Sequence, residues 1–335
     1  MTFVILRHCL SFIFSVVLSF YMIFLTSRIA QKFGILDFPD GKVKKQSKGV
    51  PYLGGLAVFI PFIATLSLFY PFQNSLSWLL LGTTQLLLVG LLDDLIIFRH
   101  WQKLLGQMIA VTSFLRGGFA LRTDFFSAPL SVCLSGFWVL FVINAFNLVD
   151  VMDGLSSLIS IVAAVSFLII ALFTQQYFLS LLLVTFLASL IVFFIYNKPP
   201  ARIYLGDCGS LFVGGFLAAV PLLFSWSHEN PYGYIVPVII LGVPLMEVVM
   251  LIVIRTYKKI PFYMASPHHF SSYLQLKGWE KNRILFFVGV ISISLSVVSI
   301  LFLFNYIGFI TLSLSLVFLL IVWLYYVFGT EGFYK

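Results

Sequence analysis

Residues 155–196 read LSSLISIVAAVSFLIIALFTQQYFLSLLLVTFLASLIVFFIY, and this stretch decides the fold class. It contains no charged residue, and a short polar break at Gln175 and Gln176 divides it into two apolar runs, 155–173 and 177–196. A helix that crosses the hydrocarbon core of a bilayer needs about 20 apolar residues. The stretch therefore predicts two membrane-spanning helices joined by a tight turn.

The composition of the whole chain extends this prediction. Of 335 residues, 61% are hydrophobic and 10% are charged, whereas soluble domains carry about 25% charged residues. Soluble and disordered classes are thereby excluded, and three cysteines provide neither a disulfide framework nor a metal quartet. We predict an all-α, polytopic integral membrane protein with a single domain over 1–335. About eleven spans are expected, at 9–26, 53–72, 77–92, 104–121, 129–146, 155–173, 177–196, 209–226, 233–254, 284–304 and 309–328.

Basic residues predict the orientation of these spans, because loops rich in Lys and Arg stay in the cytoplasm. All but three of the 20 basic residues flank one set of alternate span ends. The other side keeps Arg7, Arg116 and Arg122. We therefore expect the N-terminus outside and the C-terminus inside. The net charge of +8 then reflects topology and attraction to anionic membrane lipid, and nucleic acid is not an expected partner.

Five aspartates lie at the predicted cytoplasmic ends of three spans. Asp93 and Asp94 follow the third span, Asp150 and Asp153 follow the fifth, and Asp207 precedes the eighth. Carboxylates at the border of the hydrocarbon are costly unless they are paired, hydrated or bound to a metal. Ordinary helix-end polarity is one interpretation. Five aspartates on one membrane face favour a cluster instead, and oxygen ligands beside phosphate-binding lysines suit Mg²⁺.

The first two pairs of aspartates occur in distinctive strings. Residues 90–94 read GLLDD and are followed by Lys103 and Gln107. Residues 144–154 read NAFNLVDVMDG, with an amide or carboxylate at every third position. Side chains at this spacing share one face of a helix, so the second string predicts a polar face formed by Asn144, Asn147, Asp150 and Asp153.

Three further strings complete the pattern. Residues 201–210 read ARIYLGDCGS, whose glycines allow close backbone approach and whose end predicts a helix N-terminus suited to an anion. Residues 48–55, KGVPYLGG, predict the start of the second span. The last long polar loop contains His268 and His269, which by themselves indicate only a surface histidine pair.

Together, in this order, the strings resemble those of the polyprenyl-phosphate N-acetylhexosamine-1-phosphate transferases, from about Gly34 to Gly278. The resemblance implies transfer of a sugar 1-phosphate from a UDP-N-acetylhexosamine to a polyprenyl phosphate such as undecaprenyl phosphate, with release of UMP. It implies Mg²⁺ as cofactor, with Mn²⁺ as an alternative ion, and a site at the cytoplasmic face of a bacterial inner membrane. The reaction would be the first membrane step of cell-envelope glycan synthesis. A homodimer is compatible with the resemblance.

The resemblance also assigns roles residue by residue. Asp93, Asp94 and Lys103 match catalytic positions, and Asp94 and Asp207 match metal-binding positions. The positions that match substrate-binding residues are Lys48, Asn144, Asn147, Asp150, Asp153, His268 and His269.

Several departures bear on the identity of the donor. Cys208 replaces a threonine or serine, and either only packs or forms a redox-sensitive site. Glu247 stands where an aspartate is common. Eleven spans and a two-histidine loop favour the branch that uses UDP-GlcNAc. Met264-Ala265 and Lys277-Gly278-Trp279 echo the phospho-MurNAc-pentapeptide transferases of peptidoglycan synthesis, which are the alternative.

A membrane transporter is the alternative from another class. Transporters place ionisable residues and broken helices near the bilayer midplane, often within inverted repeats. Glu247 and Arg116 are the main candidates here for charges inside helices, and the sequence shows no repeat. We therefore favour the enzyme.

Overall fold

The computed structural model describes residues 2–38, 49–70, 74–96, 98–123, 125–261 and 266–328, which are almost entirely helical. Lys48 and the pair Met264-Ala265 lie outside the described residues. One small antiparallel ladder joins β1 (Leu36–Asp37) to β2 (Val50–Pro51). The helices are α1 (Thr2–Phe33), α2 (Gly54–Phe69), α3 (Asn74–Ile96), α4 (His100–Arg116), α5 (Ala128–Val149), α6 (Leu155–Phe173), α7 (Tyr177–Asn197), α8 (Gly206–Ala219), α9 (Trp226–Glu229), α10 (Val236–Ile240), α11 (Gly242–Tyr257), α12 (Phe270–Leu276), α13 (Lys281–Leu303) and α14 (Phe309–Phe328).

Each predicted span overlaps a helix, which confirms a polytopic membrane protein. Within the described residues, eight helices are long and apolar enough to cross a membrane, and α10 with α11 form a bent ninth candidate. The helices α2 and α4 are shorter, at 16 and 17 residues. Eleven crossings and the orientation therefore stay predictions.

The predicted span 233–254 is wrong as a single continuous helix. It divides into α10 and α11, which meet at an angle of 70°. The physical reason is Pro244, which lacks a backbone N–H and whose ring conflicts with the carbonyl four residues earlier, at Ile240. That carbonyl belongs to the last residue of α10, so the proline accounts for the break.

The candidate span Gly206–Leu223, which begins with α8, is the most enclosed in the described part of the chain, and 83% of its residues are buried. It packs against α2, α3 and α5. Two glycines allow this close packing, because a Cβ at Gly55 would clash with the backbone of Gly209, and one at Gly90 would clash with the backbone of Asp207. Small residues at such crossings let helix backbones approach each other in membranes.

Backbone hydrogen bonds join the first residues of α2 to the residues just before α8. The N–H groups of Gly54 and Gly55 donate to the carbonyls of Tyr204 and Leu205, at 3.0 and 2.9 Å. In return, the N–H of Tyr204 donates to the carbonyl of Pro51 at 2.7 Å. Helix N-termini carry N–H groups without intrahelical partners, and this pairing satisfies two of them. The string at 48–55 thus helps position the start of α8.

Candidate active site

Lys103, near the start of α4, joins three of the predicted strings. Its Nζ donates to Asp207 Oδ2 at 2.5 Å and to Asn147 Oδ1 at 3.2 Å, and forms an ion pair with Asp93 Oδ2 at 2.9 Å. The lysine and Asp207 are 104 residues apart in the chain. We call these four residues the Lys103 cluster. They lie on α3, α4, α5 and α8, so the expected convergence of these strings is present in the structure.

Amide side chains orient the cluster from the α5 side. The Nδ2 of Asn147 donates to Asp207 Oδ1 at 2.7 Å and to Ser210 Oγ at 2.9 Å. One turn earlier, Asn144 and Gln107 exchange hydrogen bonds of 2.8 and 3.3 Å. These bonds hold α4 and α8 against α5, so the asparagines position the charged groups.

Asp94 holds the N-terminus of α8. Its Oδ1 accepts the N–H of Asp207 and its Oδ2 accepts that of Cys208, both at 3.0 Å. A carboxylate in this place is stabilised by the unpaired N–H groups and the positive end of the helix dipole. Gly206 has a φ of 73°, and a Cβ there would lie 2.9 Å from Asp94 Oδ2. Within this arrangement Asp94 positions Asp207, and its catalytic and metal-binding roles stay predictions.

The structure shifts several helix ends relative to the sequence expectation. Asp93 and Asp94 lie inside the last turns of α3, and Asp207 lies in the first turn of α8. The polar face predicted for Asn144 through Asp153 is wrong beyond Val149, where α5 ends. Residues 150–153 form a turn instead of continuing the helix.

The two aspartates of this turn have different surroundings. Asp153 accepts from Lys281 Nζ at 2.9 Å and from the N–H of Ala201 at 3.3 Å, so it ties the turn to neighbouring segments. Asp150 is half-buried and has no hydrogen-bond partner among the described residues. Burial raises the pKa of the Asp150 carboxyl well above its usual range, and the carboxylates of Asp207 and Asp94 raise this pKa further. Asp150 therefore adds a carboxyl group whose oxygens have no hydrogen-bond partner in the part of the chain that the structure describes.

The two predicted histidines form separate pairs in the last loop. His269 Nδ1 lies 2.8 Å from Glu247 Oε1, and His268 Nε2 lies 3.0 Å from Lys258 Nζ. Burial lowers the pKa of His268, and the positive charges of Lys258 and Arg255 lower it further. Among the described side chains, no hydrogen bond or ion pair joins either histidine to the Lys103 cluster.

The chemistry of the side chains around Lys103 indicates whether the cluster fits a divalent ion. No group of three His, Cys, Asp or Glu side chains in the described part of the chain is arranged to hold a metal. Oxygens of Asp93, Asn147 and Asp207 nevertheless surround one cation, the ammonium of Lys103. Mg²⁺ prefers carboxylate and amide oxygens of this kind, so the donor chemistry fits it.

Cys208 is fully buried, and its thiol lies 3.6 Å from the carbonyl oxygen of Leu205. Reactive cysteines are partly exposed and have positively charged neighbours. The burial favours the packing interpretation over a redox-sensitive site.

An apolar groove of about 1030 Å³ lies beside α11. It is lined by residues of α5, α10, α11, α13 and α14, including Phe141, Met246 and Trp323. Lys258 is the one charged residue among the described residues that line it. Phe141 lies six residues before Asn147 on α5, about 9 Å along the helix axis. The groove therefore borders the helix that carries part of the Lys103 cluster.

Sequence reasoning missed three functional neighbours. Ser210 and Lys281 contact predicted site residues, but a lone serine or a loop lysine carries no distinguishing signal. The sequence singles out Glu247 as a departure from a family pattern and as a charge inside a helix, but does not predict its contact with His269. The available signal was a carboxylate within an apolar run that also contains Pro244.

Comparison with known proteins identifies relatives of this chain. A family model described as Glycosyl transferase family 4 matches residues 76–225. A probable undecaprenyl-phosphate N-acetylglucosaminyl 1-phosphate transferase of Bacillus subtilis (strain 168) is 27% identical over 306 residues, which cover 88% of this chain and 85% of that relative. Phospho-N-acetylmuramoyl-pentapeptide-transferases of Bacillus cytotoxicus and Bacillus thuringiensis (strain Al Hakam) are 30% and 31% identical over 297 residues, covering 80% of this chain and 89% of each relative.

Proposed function

The chain belongs to glycosyl transferase family 4, and from this premise we propose that it transfers GlcNAc 1-phosphate from UDP-GlcNAc to undecaprenyl phosphate. The products are UMP and a lipid diphosphate sugar, and the site faces the cytoplasm at a bacterial inner membrane. The relative from Bacillus subtilis, whose alignment covers 88% of this chain, supports the choice of donor and acceptor.

The observation that carries the proposal is the Lys103 cluster. Three carboxylate or amide side chains from separate helices converge on one ammonium group. The two substrates carry negatively charged phosphates and repel each other. A lysine at the ends of apolar helices can screen this repulsion where a lipid and a soluble donor meet. Phosphoryl transfer depends mainly on such neutralisation and positioning.

The chemistry needs no strong base. A phosphate oxygen of the acceptor attacks the β-phosphorus of the donor, and the bond from that phosphorus to the oxygen of UMP breaks. UMP leaves with the bonding electron pair. A phosphate monoester has its second pKa near 6, so most of the acceptor is already a dianion at neutral pH. Any remaining proton passes to a nearby carboxylate such as Asp93 or to water.

Each residue of the cluster has a role in this scheme. The ammonium of Lys103 binds a phosphate oxygen, which competes for this ammonium with the carboxylates of Asp207 and Asp93. Asn147 fixes Asp207 through its amide, and Asp94 fixes the helix turn that carries Asp207. Asp207, Asp93 and Asn147 would hold Mg²⁺, which when bound supplies further neutralisation of the phosphate oxygens.

The apolar groove suits the polyprenyl tail. Its lining is apolar except at Lys258, so a lipid chain can lie along it. The adjoining α5 leads from Phe141 to Asn144 and Asn147, the polar side of the site.

A second candidate is phospho-MurNAc-pentapeptide transfer, which the relatives at 30% and 31% identity favour. The same cluster would serve both donors, because the reacting diphosphate is common to them. The two candidates differ only in the sugar and its peptide.

One experiment tests both candidates. Purified protein is incubated with Mg²⁺, undecaprenyl phosphate and either UDP-GlcNAc or UDP-MurNAc-pentapeptide, each labelled in the sugar. We expect butanol-extractable label and an equal amount of UMP from UDP-GlcNAc, and neither from the Asp207→Asn variant. Product from the pentapeptide donor alone would establish the second candidate, and no product from either donor would refute the proposed activity.

A further inference from the structure

Glu247 is a fully buried carboxylate within α11, five residues after the helix begins at the bend. Burying a charge among apolar side chains is costly unless the charge is paired and hydrogen-bonded. The partners of Glu247 lie 22 and 23 residues away in the chain. His269 Nδ1 is 2.8 Å from its Oε1, and the N–H of Phe270 donates to its Oε2 at 3.4 Å.

Stability alone does not account for this pair. Replacing a buried ion pair by apolar side chains of similar volume is often neutral or stabilising. Leu245 and Val248 beside Glu247 show that apolar residues are accommodated on this part of the helix. The pair is therefore weak evidence of a stabilising role, and its geometry points to a different one.

The geometry fixes the orientation of the His269 imidazole. Because a carboxylate accepts hydrogen bonds and cannot donate them when ionised, the hydrogen lies on Nδ1. The ring is 11% exposed, and Nε2 has no hydrogen-bond partner among the described residues. The second oxygen of Glu247 anchors the first residue of α12, Phe270, so the backbone beside the ring is held as well. One edge of the imidazole is left available to a ligand.

We propose that Glu247 is a positioning residue that holds His269 through Nδ1 so that its Nε2 edge meets the nucleotide-sugar donor. This inference rests on the proposed function for the identity of that ligand. Where a histidine ligates a metal, replacing the group that orients it through its other ring nitrogen costs about tenfold to a hundredfold in affinity or activity, and we expect an effect of this order here.

The test is a double-mutant cycle with steady-state kinetics. Glu247→Gln keeps the volume of the side chain but leaves a single oxygen to accept from both His269 Nδ1 and the N–H of Phe270. We expect it to raise the KM for the donor by about 10- to 100-fold and to leave the KM for undecaprenyl phosphate unchanged. His269→Ala should have a similar effect. If Glu247 acts only through His269, the double variant should be no worse than His269→Ala alone.

Glu229→Gln is the matched control, because Glu229 also contacts a histidine, His228, at 3.2 Å but in an exposed pair. It should leave the KM for the donor unchanged. A donor KM in Glu247→Gln within twofold of wild type would overturn the proposal, and so would full additivity in the double variant. If Glu247→Gln does not fold, Glu247→Asp, which shortens the side chain, should raise the same KM, and an unchanged value would again overturn it.

A binding measurement separates this proposal from the proposed function. Addition of UDP should raise the thermal unfolding midpoint of the wild type, and should raise it less in Glu247→Gln. An equal rise in both proteins would overturn the positioning role. Failure of the wild type to turn over either donor, with this UDP effect intact, would refute the proposed reaction while leaving the positioning role supported.

Discussion

Asp207 contacts charged and amide side chains, whereas Asp94 accepts backbone N–H groups at the start of α8. Their variants should therefore differ in how much stability they lose. Asp207 binds the Lys103 ammonium and the Asn147 amide, so Asp207→Asn should lower turnover by about 10²–10⁴ with little change in stability. Asp94→Asn should lower turnover comparably. It should also cost about 0.5–2 kcal/mol of stability, because a charge is lost at the N-terminus of α8.

Release of UMP and thermal unfolding in one detergent would measure both effects. An Asp207→Asn protein that retains more than about a tenth of the wild-type rate would contradict the assigned role. An Asp94→Asn protein as stable as wild type would contradict the helix-holding role.

His268 predicts a pH dependence of stability. Burial and the charges of Lys258 and Arg255 lower its pKa in the folded protein, whereas the unfolded value is about 6.5. Between the two values the unfolded chain binds more protons, so stability rises with pH. This contribution is complete above about pH 6.5 and is lost as the pH falls toward the folded pKa.

Unfolding midpoints measured from about pH 5 to 7.5 would test this prediction. His268→Gln should flatten the curve, and Lys258→Met should flatten it partly by restoring the pKa of His268. His228→Gln is the control, since the His228 side chain is 84% exposed. Curves that coincide for wild type and His268→Gln would count against the pKa shift.

At the scale of elements, the close approach of α3 to α8 depends on Gly90. A Cβ there would clash with backbone atoms of Asp207 and Cys208, which cannot give way as a flexible side chain can. Gly90→Ala should therefore separate the helices and cost about 1–3 kcal/mol, and turnover should fall as Asp94 moves away from α8.

Gly136→Ala is a matched control within another helix interior. Its added Cβ would meet only ordinary contacts, 3.6 Å from Val111 and 3.7 Å from Leu115. Helix propensity then favours alanine by up to about 1 kcal/mol. Thermal unfolding should rank Gly136→Ala at or above wild type and Gly90→Ala below it. The reverse order would refute the close-packing argument.

The sequence predicts the elements of this site better than their contacts. Long charge-free runs predict helices, because a helix forms all of its backbone hydrogen bonds within its own segment, as a membrane requires. Polar strings at helix ends on the same side of the membrane predict that these strings lie close together. The contacts depend on helix ends that shift by a few residues, as at Asp207, and on the bend at Pro244. The Glu247–His269 pair requires the chain to fold back over 22 residues, which no local pattern encodes.

Across the whole molecule, the described basic residues divide between the two ends of the helices. Arg99 and Lys198 lie at the end that carries the Lys103 cluster, because they precede α4 and α8, which contribute to it. Arg7, Arg116 and Arg122 lie at helix ends away from it. Positive residues retained in the cytoplasm would place the cluster there, where a soluble nucleotide sugar can reach it.

Cysteine labelling in intact cells tests this orientation. The background is Cys9→Ala with Cys133→Ala, since both native thiols are exposed and Cys208 is buried. Lys259→Cys, on the exposed turn after α11, should resist a membrane-impermeant thiol reagent until the cells are permeabilised. Tyr306→Cys, in the turn between α13 and α14 where the native side chain is 78% exposed, should be labelled at once. Labelling at position 259 but not at 306 would invert the topology and remove the donor's access to the cluster, because a charged nucleotide sugar does not cross hydrocarbon unaided.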